Sequence, residues 1–548
     1  MVTSTLPEQG SKSSHPSLHY HQHQPDFDKE FSETQAYLRG KSHIKAARKI
    51  RIIAIGAAAS SLALAREVSE GRIENAALVL YEKNPGIGGT WFENNYSQAP
   101  EIREYFQRVA KNYNLEKYVR LSHQVVSARW DEATIQWQVG VKNMVTGEVV
   151  SDSADFLING GGIINNWKWP TIEGIHSFEG QLLHSATWSD RADCGNKNVV
   201  VIGNGSIVDK MTVVMRSPTW ITAGFAPQFA GPNGENITYS EQQKKEWREN
   251  PQVYLAYRKA LEAELNKRFR FVLKGSPEQR RFRDFSFNQM KEALSSKPEL
   301  ITKLIPSFDV GCRRATPGNG YLETLVQENV SVSFGAPQRI IEKGIVLHDG
   351  QIVEADIIIC ATGFDLSFKP RFPVVGKNGI HLDDWWTPDA KAYMTLAVPH
   401  FPNYLHYLGP ATTAAQGSII PTIETLTNYF VKIINKVQRE GYATFEPRLE
   451  CAEQLYERHQ EFLKHTVWAS HCTSTFKNGT STGKLNLLHG GSRLHHYDML
   501  ESPRWEDYNW TPMPGVKIYD YLGDGFSEQE EKGNDITWYM NNPATALL

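Results

Sequence analysis

Twice in this chain a run of β-branched residues ends in glycine, and this repeat constrains the fold more than any other feature. The first run covers 49–55 and ends at Gly56, before an Ala-rich, helix-forming segment that extends to about Val68. The second covers 198–202 and ends at Gly203, about 150 residues further along the chain. A buried strand that ends in glycine and leads into a helix is the opening of a βαβ unit. The repeat therefore predicts two nucleotide-binding sheets in one chain.

Two more apolar runs that end in glycine flank the second unit, at 155–162 and at 355–363. The predicted fold class is α/β, with two Rossmann-like dinucleotide-binding domains, the second inserted in the first, and a helical covering segment. The predicted boundaries are a disordered polar leader at 1–48, the first domain at 49–166, the second domain at 167–350 with a helical insertion at about 234–300, and the rest of the first domain with the C-terminal tail at 351–548.

Charge and cysteine content argue against several classes of protein. The chain has 58 Lys and Arg against 61 Asp and Glu and no long basic run, so we expect no binding to nucleic acid. Its 5 cysteines are widely spaced without a CxxC pair, so we expect free thiols, no disulfide framework and no metal site. No stretch reaches the roughly 18 consecutive apolar residues of a membrane span. We therefore expect a cytoplasmic protein; its oligomeric state is left open.

The first glycine loop departs from the dinucleotide-binding pattern G-x-G-x-x-G, whose glycines permit a tight turn, close approach of a pyrophosphate and close helix packing. Only Gly56 survives here, and Ala58 and Ser61 occupy the other two positions. Glu82 ends the next apolar run, 21 residues beyond Ser61, where an acidic residue binds ribose hydroxyls. By itself this loop leaves open a βαβ unit that binds no nucleotide.

The second loop keeps Gly203 and Gly205, followed by Ser206, but Val208 replaces the third glycine. A full crossover between parallel strands takes at least about 10–12 residues including its helix, and the chain after Gly205 has barely that length. The sequence thus predicts that a turn or more of helix is missing here.

Further motifs give the chain a resemblance to a known family. The stretch Gly88-Gly89-Thr90-Trp91, which follows Tyr81-Glu82-Lys83-Asn84-Pro85, resembles the flavin-binding segment of class B flavoprotein monooxygenases. The spacing Phe178-x-Gly180-x3-His184-x3-Trp188 is similar to the fingerprint of Baeyer–Villiger monooxygenases. It differs at the last position, where Ser189 stands in place of the usual Pro or Asp.

Three more segments carry the same resemblance. Arg216-Ser217 is similar to the family's binder of the NADP 2′-phosphate, and Ala361-Thr362-Gly363-Phe364-Asp365 resembles its Ala-Thr-Gly strand. Gly311-Cys312-Arg313-Arg314 resembles the segment that bears the active-site arginine. The resemblance covers about residues 49–530, and the combination is close to that of fungal members that act on polyketides.

The resemblance implies that the first domain binds FAD and the second NADPH. The residues that it implies for the two cofactors are Gly56, Glu82, Gly89, Thr90, Trp91, Gly203, Gly205, Ser206, Arg216, Ser217 and Asp365. It implies a catalytic role for Arg314, whereas it makes the remaining motif residues structural links between the domains: Phe178, Gly180, His184 and Trp188.

The implied reaction is an NADPH- and O2-dependent oxidation of a small-molecule ketone to an ester or lactone (a Baeyer–Villiger oxidation). By analogy the ketone is a polyketide-type secondary metabolite. The reactive oxygen species in such a reaction is anionic, so a cation is needed beside the flavin. Arg314 suits that role because its guanidinium stays charged at any working pH.

The chain also departs from the family pattern. Asn95 stands where the family has arginine, and Tyr96-Ser97-Gln98 leads directly into a predicted helix from Pro100, without the segment that lines the flavin in the family. Ala58 and the Ile207-Val208 pair add bulk where phosphates approach, and Ser61 crowds the contact between helix and strand. We therefore expect weakened binding of FAD and, more strongly, of NADPH.

Three interpretations stay open from the sequence. The first is that the chain is a divergent but working monooxygenase. The second is that it is a descendant that binds or isomerises a related ketone without cofactor, and the third is that it is an inactive gene product. A plain NADP-dependent dehydrogenase is disfavoured by the flavin-type Gly88-Gly89-Thr90-Trp91 stretch.

Overall fold

The structure is a computed structural model that describes residues 26–93, 99–187, 193–203, 210–222, 224, 226–231, 237–318, 320–413 and 416–541. The α-helices in these ranges are α1 Phe27–Leu38, α2 Ala59–Ser69, α3 Thr90–Glu93, α4 Ala99–Asn112, α5 Glu241–Glu249, α6 Pro251–Asn266, α7 Pro277–Ala293, α8 Pro298–Leu304, α9 Tyr321–Leu325, α10 Leu382–Trp385, α11 Ile419–Arg439, α12 Leu449–Leu463, α13 Arg493–Glu501 and α14 Glu528–Glu531.

The strands of the same ranges pair into several sheets. They are β1 Ile50–Ile55, β2 Ala76–Tyr81, β3 Val119–Arg120, β4 His123–Asp131, β5 Gln136–Asn143, β6 Val149–Ala154, β7 Phe156–Asn159, β8 Gln181–His184, β9 Asn198–Gly203, β10 Lys210–Met215, β11 Ile221–Thr222, β12 Thr316–Pro317, β13 Val330–Phe334, β14 Arg339–Ile341, β15 Gly344–Val346, β16 Ile352–Glu354, β17 Ile357–Ala361, β18 Val374–Val375, β19 Tyr404–His406, β20 Tyr442–Pro447 and β21 Tyr508–Pro512.

The first parallel sheet has the strand order β3-β2-β1-β7-β19, as the βαβ pattern predicts. Its central strands are almost continuously apolar because helices such as α2 and α11 cover the sheet and bury their side chains in one core. The chain leaves β1 toward β2 on one side and β7 lies on the other, so a crevice opens at the carboxyl end of β1, beside Gly56. Such a crevice is where open α/β sheets bind ligands.

The second parallel sheet has the order β13-β10-β9-β17-β8. Strand β17 belongs here because Ile357 pairs with Val199 of β9 and with Gln181 of β8. The boundary predicted at 350 is therefore wrong, and the second sheet extends to Ala361. A buried apolar strand fits either sheet equally well, so the sequence could not assign β17. The chain returns to the first region at β18, which pairs with β4, and at β19, which pairs with β7.

The connection between β9 and β10 is unusually short. The two strands pair in parallel, with Lys210 opposite Asn198, and only positions 204–209 lie between them. Parallel neighbours normally need a crossover of a dozen or more residues, usually an α-helix. The predicted shortage of chain for a crossover helix is confirmed.

The chain divides into two compact units, Met1–Ala46 with Tyr519–Leu548, and Ala47–Ile518. In the smaller unit, residues 27–38 form α1, and the Lys45 N–H donates to the Tyr521 carbonyl over 2.8 Å. The prediction of a disordered leader is therefore wrong for 27–46, and residues 1–25 lie outside the described residues. The reason is that the backbone partners of this segment lie near the opposite end of the chain, which local composition does not show.

Helices α5 to α8 occupy the region where a helical insertion was predicted. Ser240 begins α5 with a capping box, in which its hydroxyl accepts the Gln243 N–H over 3.2 Å. No helix of the described ranges is long and apolar enough to cross a membrane.

Candidate functional site

The turn from β1 into α2 has the geometry of an anion-binding loop. Gly56 has φ +88°, and a Cβ there would lie 3.0 Å from the Gly160 carbonyl oxygen, so only glycine suits this position. Helix α2 begins directly afterwards, and no side chain caps its N-terminus. An uncapped helix N-terminus offers backbone N–H groups and a positive dipole end to an anion such as a pyrophosphate.

Glu82 lies beside this loop with only 3% of its surface exposed. Its carboxylate accepts the Ala57 N–H over 2.8 Å and the Asn84 N–H over 2.9 Å. Burial raises the pKa of Glu82, and the two backbone hydrogen bonds oppose that effect. Because each carboxylate oxygen has a further lone pair, the group can also accept hydroxyl donors from a ribose.

The Gly88-Gly89-Thr90-Trp91 turn packs directly against the same loop. The Gly88 N–H donates to the Ala57 carbonyl over 3.3 Å. Gly89 has φ +56°, and a Cβ there would lie 2.6 Å from the Ala58 methyl carbon. Thr90 and Trp91 begin α3, and Trp91 packs against the core of the first sheet. The predicted residues of the first site thus surround one crevice.

The structure accommodates the two residues that replace glycines in the first loop. The Ser61 hydroxyl donates to the Ile55 carbonyl over 3.2 Å, and it fills the space that a side chain at Gly160 would need. The Ala58 methyl faces the bare Cα of Gly89. The crowding expected at Ser61 is therefore relieved by a glycine on the neighbouring strand.

A cavity of about 860 Å³ lies at the carboxyl ends of the second sheet. The predicted residues that line it are Gly203, Arg216, Ser217, Arg314 and Asp365. Three other predicted residues, Gly205, Ser206 and Trp188, lie outside the described residues. The Asp365 carboxylate accepts the Ser367 N–H over 2.9 Å and so shapes its own turn.

Arg313 is a member of this site that the sequence did not single out. Its guanidinium donates to the Ser217 hydroxyl over 2.8 Å and to the Pro218 carbonyl over 3.1 Å. Burial, and then the nearby charge of Arg216, lower the pKa of Arg313. Two neighbouring guanidiniums and a hydroxyl are a donor set that suits a phosphate. The one available signal was its position directly before Arg314.

Arg314 lies where two cavities meet. It lines the cavity of the second sheet and a second cavity of about 290 Å³. The second cavity is lined by aromatic and apolar side chains and by further arginines: Phe269, Phe271, Val272, Trp468 and Phe476, with Arg268, Arg313 and Arg493. The Arg314 side chain is exposed, and within the described ranges its guanidinium forms no hydrogen bond or ion pair. A charged group is therefore free to act at the junction.

The described fingerprint residues form a structural cluster behind the wall of the larger cavity, because Thr362 and Trp169, which contact His184, line that cavity. His184 is 1% exposed; its Nδ1 accepts the Ala186 N–H over 3.1 Å, so its Nε2 donates to the Thr362 hydroxyl over 3.2 Å. The ring stacks on Trp167, and burial lowers the pKa of His184. Phe178 packs under Gly180, where a Cβ would lie 2.5 Å from the ring. Trp167 belongs to the connector between the two sheets, so this cluster joins that connector to β8.

Cys312 and Cys472 form a disulfide, which corrects the expectation of five free thiols. The two residues are 160 positions apart, and the fold, not the local spacing, brings them together. Cys194, Cys360 and Cys451 are free. In the described part of the chain no group of His, Cys, Asp or Glu is arranged to hold a metal ion.

The chain is similar to proteins described as flavin-binding monooxygenases. A sequence model of the family described as flavin-binding monooxygenase-like matches residues 90–217. The FAD-binding monooxygenase moxY of Dothistroma septosporum is 32% identical over 542 residues, which cover 90% of this chain and 85% of that protein. The FAD-binding monooxygenase stcW of Emericella nidulans is 32% identical over 531 residues, with 89% and 87% covered.

Solved structures share the fold at lower identity. The complex of OTEMO with FAD and NADP superposes with a TM-score of 0.72 at 21% identity, covering 85% of this chain and 100% of that one. Cyclohexanone monooxygenase from Rhodococcus sp. Phi1 bound to NADP+ gives a TM-score of 0.70 at 21% identity, with the same coverage.

Proposed function

The chain belongs to the FAD-binding monooxygenase family, and on that premise we propose that it uses FAD, NADPH and O2 to insert one oxygen atom beside the carbonyl of a ketone. The product is an ester or lactone, and the proposed substrate is a polyketide-type secondary metabolite. The observation that carries this proposal is the place of Arg314, a free cation at the junction of a cofactor-sized cavity and an aromatic-lined one.

The residues around the first loop fit FAD. The N-terminus of α2 would hold the pyrophosphate, and the buried Glu82 carboxylate would accept the ribose hydroxyls. The turn at Gly88-Gly89-Thr90-Trp91 would lie against the same ligand. Bound FAD, once reduced by NADPH, supplies the electrons that activate O2.

The residues that line the larger cavity, at the carboxyl ends of the second sheet, fit the 2′-phosphate of NADPH. Arg216 and Arg313 would bind the 2′-phosphate as a pair of charged donors, and Ser217 would add a hydroxyl. Position 203, at the end of β9, requires glycine, because a Cβ there would collide with the backbone of Ala361. Asp365 lines the same cavity.

Arg314 is proposed to stabilise negative charge that develops on oxygen beside the ketone. The side chain can reach this position because it has no fixed partner among the described residues. The aromatic wall of the smaller cavity would exclude water and orient a planar ketone. Removal of one donor that stabilises such a charge typically lowers the rate of catalysis by about 10²–10³.

The first test is the absorption spectrum of the purified chain, with the flavin released and quantified. With FAD added in excess, we expect up to one FAD per chain, NADPH oxidation that depends on an aromatic ketone, and a product heavier by one oxygen atom. A protein that stays colourless with added FAD would instead favour the cofactor-free isomerase or binding protein, or an inactive chain.

The second test is Arg314→Ala, with Arg314→Lys as the variant that keeps the charge. We expect Arg314→Ala to lower the rate of product formation by about 10²–10³ while FAD content stays unchanged. Full activity of Arg314→Ala would refute the assigned role, whereas partial activity of Arg314→Lys would support a role for the charge.

A further inference from the structure

We infer that Cys312, Cys472 and Lys477 form a thiol–disulfide exchange site whose reductant is a dithiol, and that this site controls the position of Arg313 and Arg314. The part that concerns cofactor binding rests on the proposed function, whereas the exchange chemistry does not. The inference starts from the disulfide, whose partners belong to two different walls of the same cavity.

The disulfide joins the arginine segment to a neighbouring segment that lines the same cavity. Cys312 directly precedes Arg313 and Arg314, which line the cavity of about 860 Å³. Cys472 directly precedes a segment that lines the same cavity through Thr473, Ser474, Thr475, Asn478 and Gly479. The covalent bond therefore fixes the distance between the two walls. Its reduction removes that constraint beside Arg313, whose guanidinium is held by Ser217 and Pro218, and beside Arg314, whose guanidinium has no partner among the described residues.

Lys477 distinguishes this pair from an inert structural disulfide. Its Nζ lies 3.9 Å from each sulfur, although the side chain is buried with 2% of its surface exposed. The ammonium donates to the carbonyls of Ser470 over 2.6 Å and Ser481 over 3.0 Å, and it forms no ion pair with a carboxylate in the described ranges. An adjacent ammonium lowers the pKa of a cysteine and stabilises its thiolate.

The surrounding charges also favour the reduced state. Burial lowers the pKa of Lys477, and the nearby charges of Arg313 and then Lys274 lower it further. Among the described residues, none of these three cations forms an ion pair with a carboxylate while the sulfurs are bonded to one another. Reduction creates a thiolate within reach of Lys477 and so supplies the missing charge.

The exchange balances as a two-electron transfer. Both cysteines are buried, Cys312 at 0% and Cys472 at 4% exposed, so exchange requires local opening of this segment. A thiolate of the dithiol then attacks the sulfur of Cys472, and the S–S bond breaks with Cys312 leaving as a thiolate beside Lys477. The second thiol of the dithiol then displaces Cys472, which takes up a proton, and the dithiol leaves as its cyclic disulfide. Two cysteines are reduced and one dithiol is oxidised.

The test counts thiols in the full-length protein. Purified without reductant, denatured and alkylated, the chain is expected to show 3 labelled cysteines out of 5. After treatment of the native protein with dithiothreitol all 5 should label, and oxidised dithiothreitol should restore the first pattern. Five labels before any reduction, or no reduction of the native protein, would overturn the proposal.

Reactivity of the reduced protein tests Lys477 itself. Cys194 and Cys451 serve as internal references, since burial raises the pKa of both. We expect Cys312 to be alkylated by iodoacetamide at lower pH than either reference, and the Lys477→Met variant to lose that difference. Equal reactivity of Cys312 and the references in the wild-type protein would contradict the role of Lys477.

The coupling to the arginines is measured with NADP+ as the probe. Reduction should weaken NADP+ binding about tenfold, the loss that follows when one charge-assisted phosphate contact is displaced. Cys472→Ser should bind NADP+ as weakly as the reduced wild type does, both with and without dithiothreitol. Cys194→Ser should respond to dithiothreitol like the wild type. Unchanged affinity of the wild type on reduction would refute the coupling. If NADP+ does not bind in either state, the proposed function fails, while the thiol count still decides the exchange site.

Discussion

The two parallel sheets end in glycine at the same structural place, but they hold ligands by different means. After Gly56 the chain enters α2, a helix of 11 residues with an uncapped N-terminus. After Gly203 it has only positions 204–209 before β10 begins, and arginine side chains gather at the mouth of the cavity instead. The first site therefore relies on backbone donors and one buried carboxylate, and the second relies on side-chain charge.

This difference predicts different sensitivities. Backbone donors at a helix end cannot be removed by a single substitution, but the buried acid beside them can be. Side-chain charges can be removed one at a time, and salt screens them when they are exposed. Substitutions at one site should leave the other site intact.

The largest effect is expected from Glu82→Ala. The change leaves the N–H groups of Ala57 and Asn84 without their acceptor and removes the partner of the ribose hydroxyls. Hydrogen bonds to a charged group contribute about 1.5–3 kcal/mol each, so FAD binding should weaken by at least about 100-fold. The flavin content of the purified variant measures FAD binding at the first site, and titration with NADP+ measures binding at the second.

Glu82→Gln is the matched control, because it keeps one acceptor oxygen in nearly the same volume. It should bind FAD more tightly than Glu82→Ala. Loss of NADP+ binding with flavin content intact would break the comparison between the sites.

Arg313→Ala should produce the next largest effect. It removes one guanidinium from the phosphate donor set, so NADP+ affinity should fall by about 10- to 100-fold with FAD content unchanged. Arg281→Ala removes a surface guanidinium of α7 that is 74% exposed, and it should leave both affinities unchanged. Equal losses in the two variants would show that the cavity arginine has no special role.

Salt should separate the sites without any substitution. Raising the ionic strength from about 0.05 M to about 0.5 M should weaken NADP+ binding about tenfold, since Arg216 is exposed and Arg313 only half-buried, so their charges are screened. FAD binding should change by less than about twofold, because the Glu82 carboxylate is buried. Titrations in a salt series check this, and parallel losses would contradict it.

The smallest effect distinguishes the two replaced glycines of the first loop. Ala58→Gly should tighten FAD binding about threefold, since it removes a methyl at the loop and glycine is a better N-cap than alanine. Ser61→Gly should not tighten binding, because it loses the bond to the Ile55 carbonyl and costs about 0.5 kcal/mol in helix propensity. Tighter binding in Ser61→Gly alone would reverse this assignment.

Local sequence patterns predicted the elements around both glycines but not their partners. The strands at 50–55 and 198–203 and helix α2 follow from hydrophobic runs and glycine, which act over a few residues. The sheet that contains β17, the partners of residues 41–46 and the Cys312–Cys472 bond depend on contacts between distant positions. Such contacts leave no periodic signal in a single sequence.

The candidate site shows the same limit. The motifs that located Glu82, Arg216 and Arg314 specify residue types at fixed spacing, so a single sequence was enough to find them. Arg313 was missed because its importance comes from the Ser217 hydroxyl and the Arg216 charge, which the fold brings to it from another strand. The compensation between Ser61 and Gly160 was missed for the same reason.

The contact between Ala58 and Gly89 also constrains the history of this chain. Because a side chain at 89 would collide with the Ala58 methyl, alanine at 58 was tolerable only in an ancestor that already had glycine at 89. A reversion to glycine at 58 would relieve that collision but not the backbone demand of φ +56° at Gly89. Substitution at these two positions is therefore epistatic and ordered, and position 89 is the one that cannot change first.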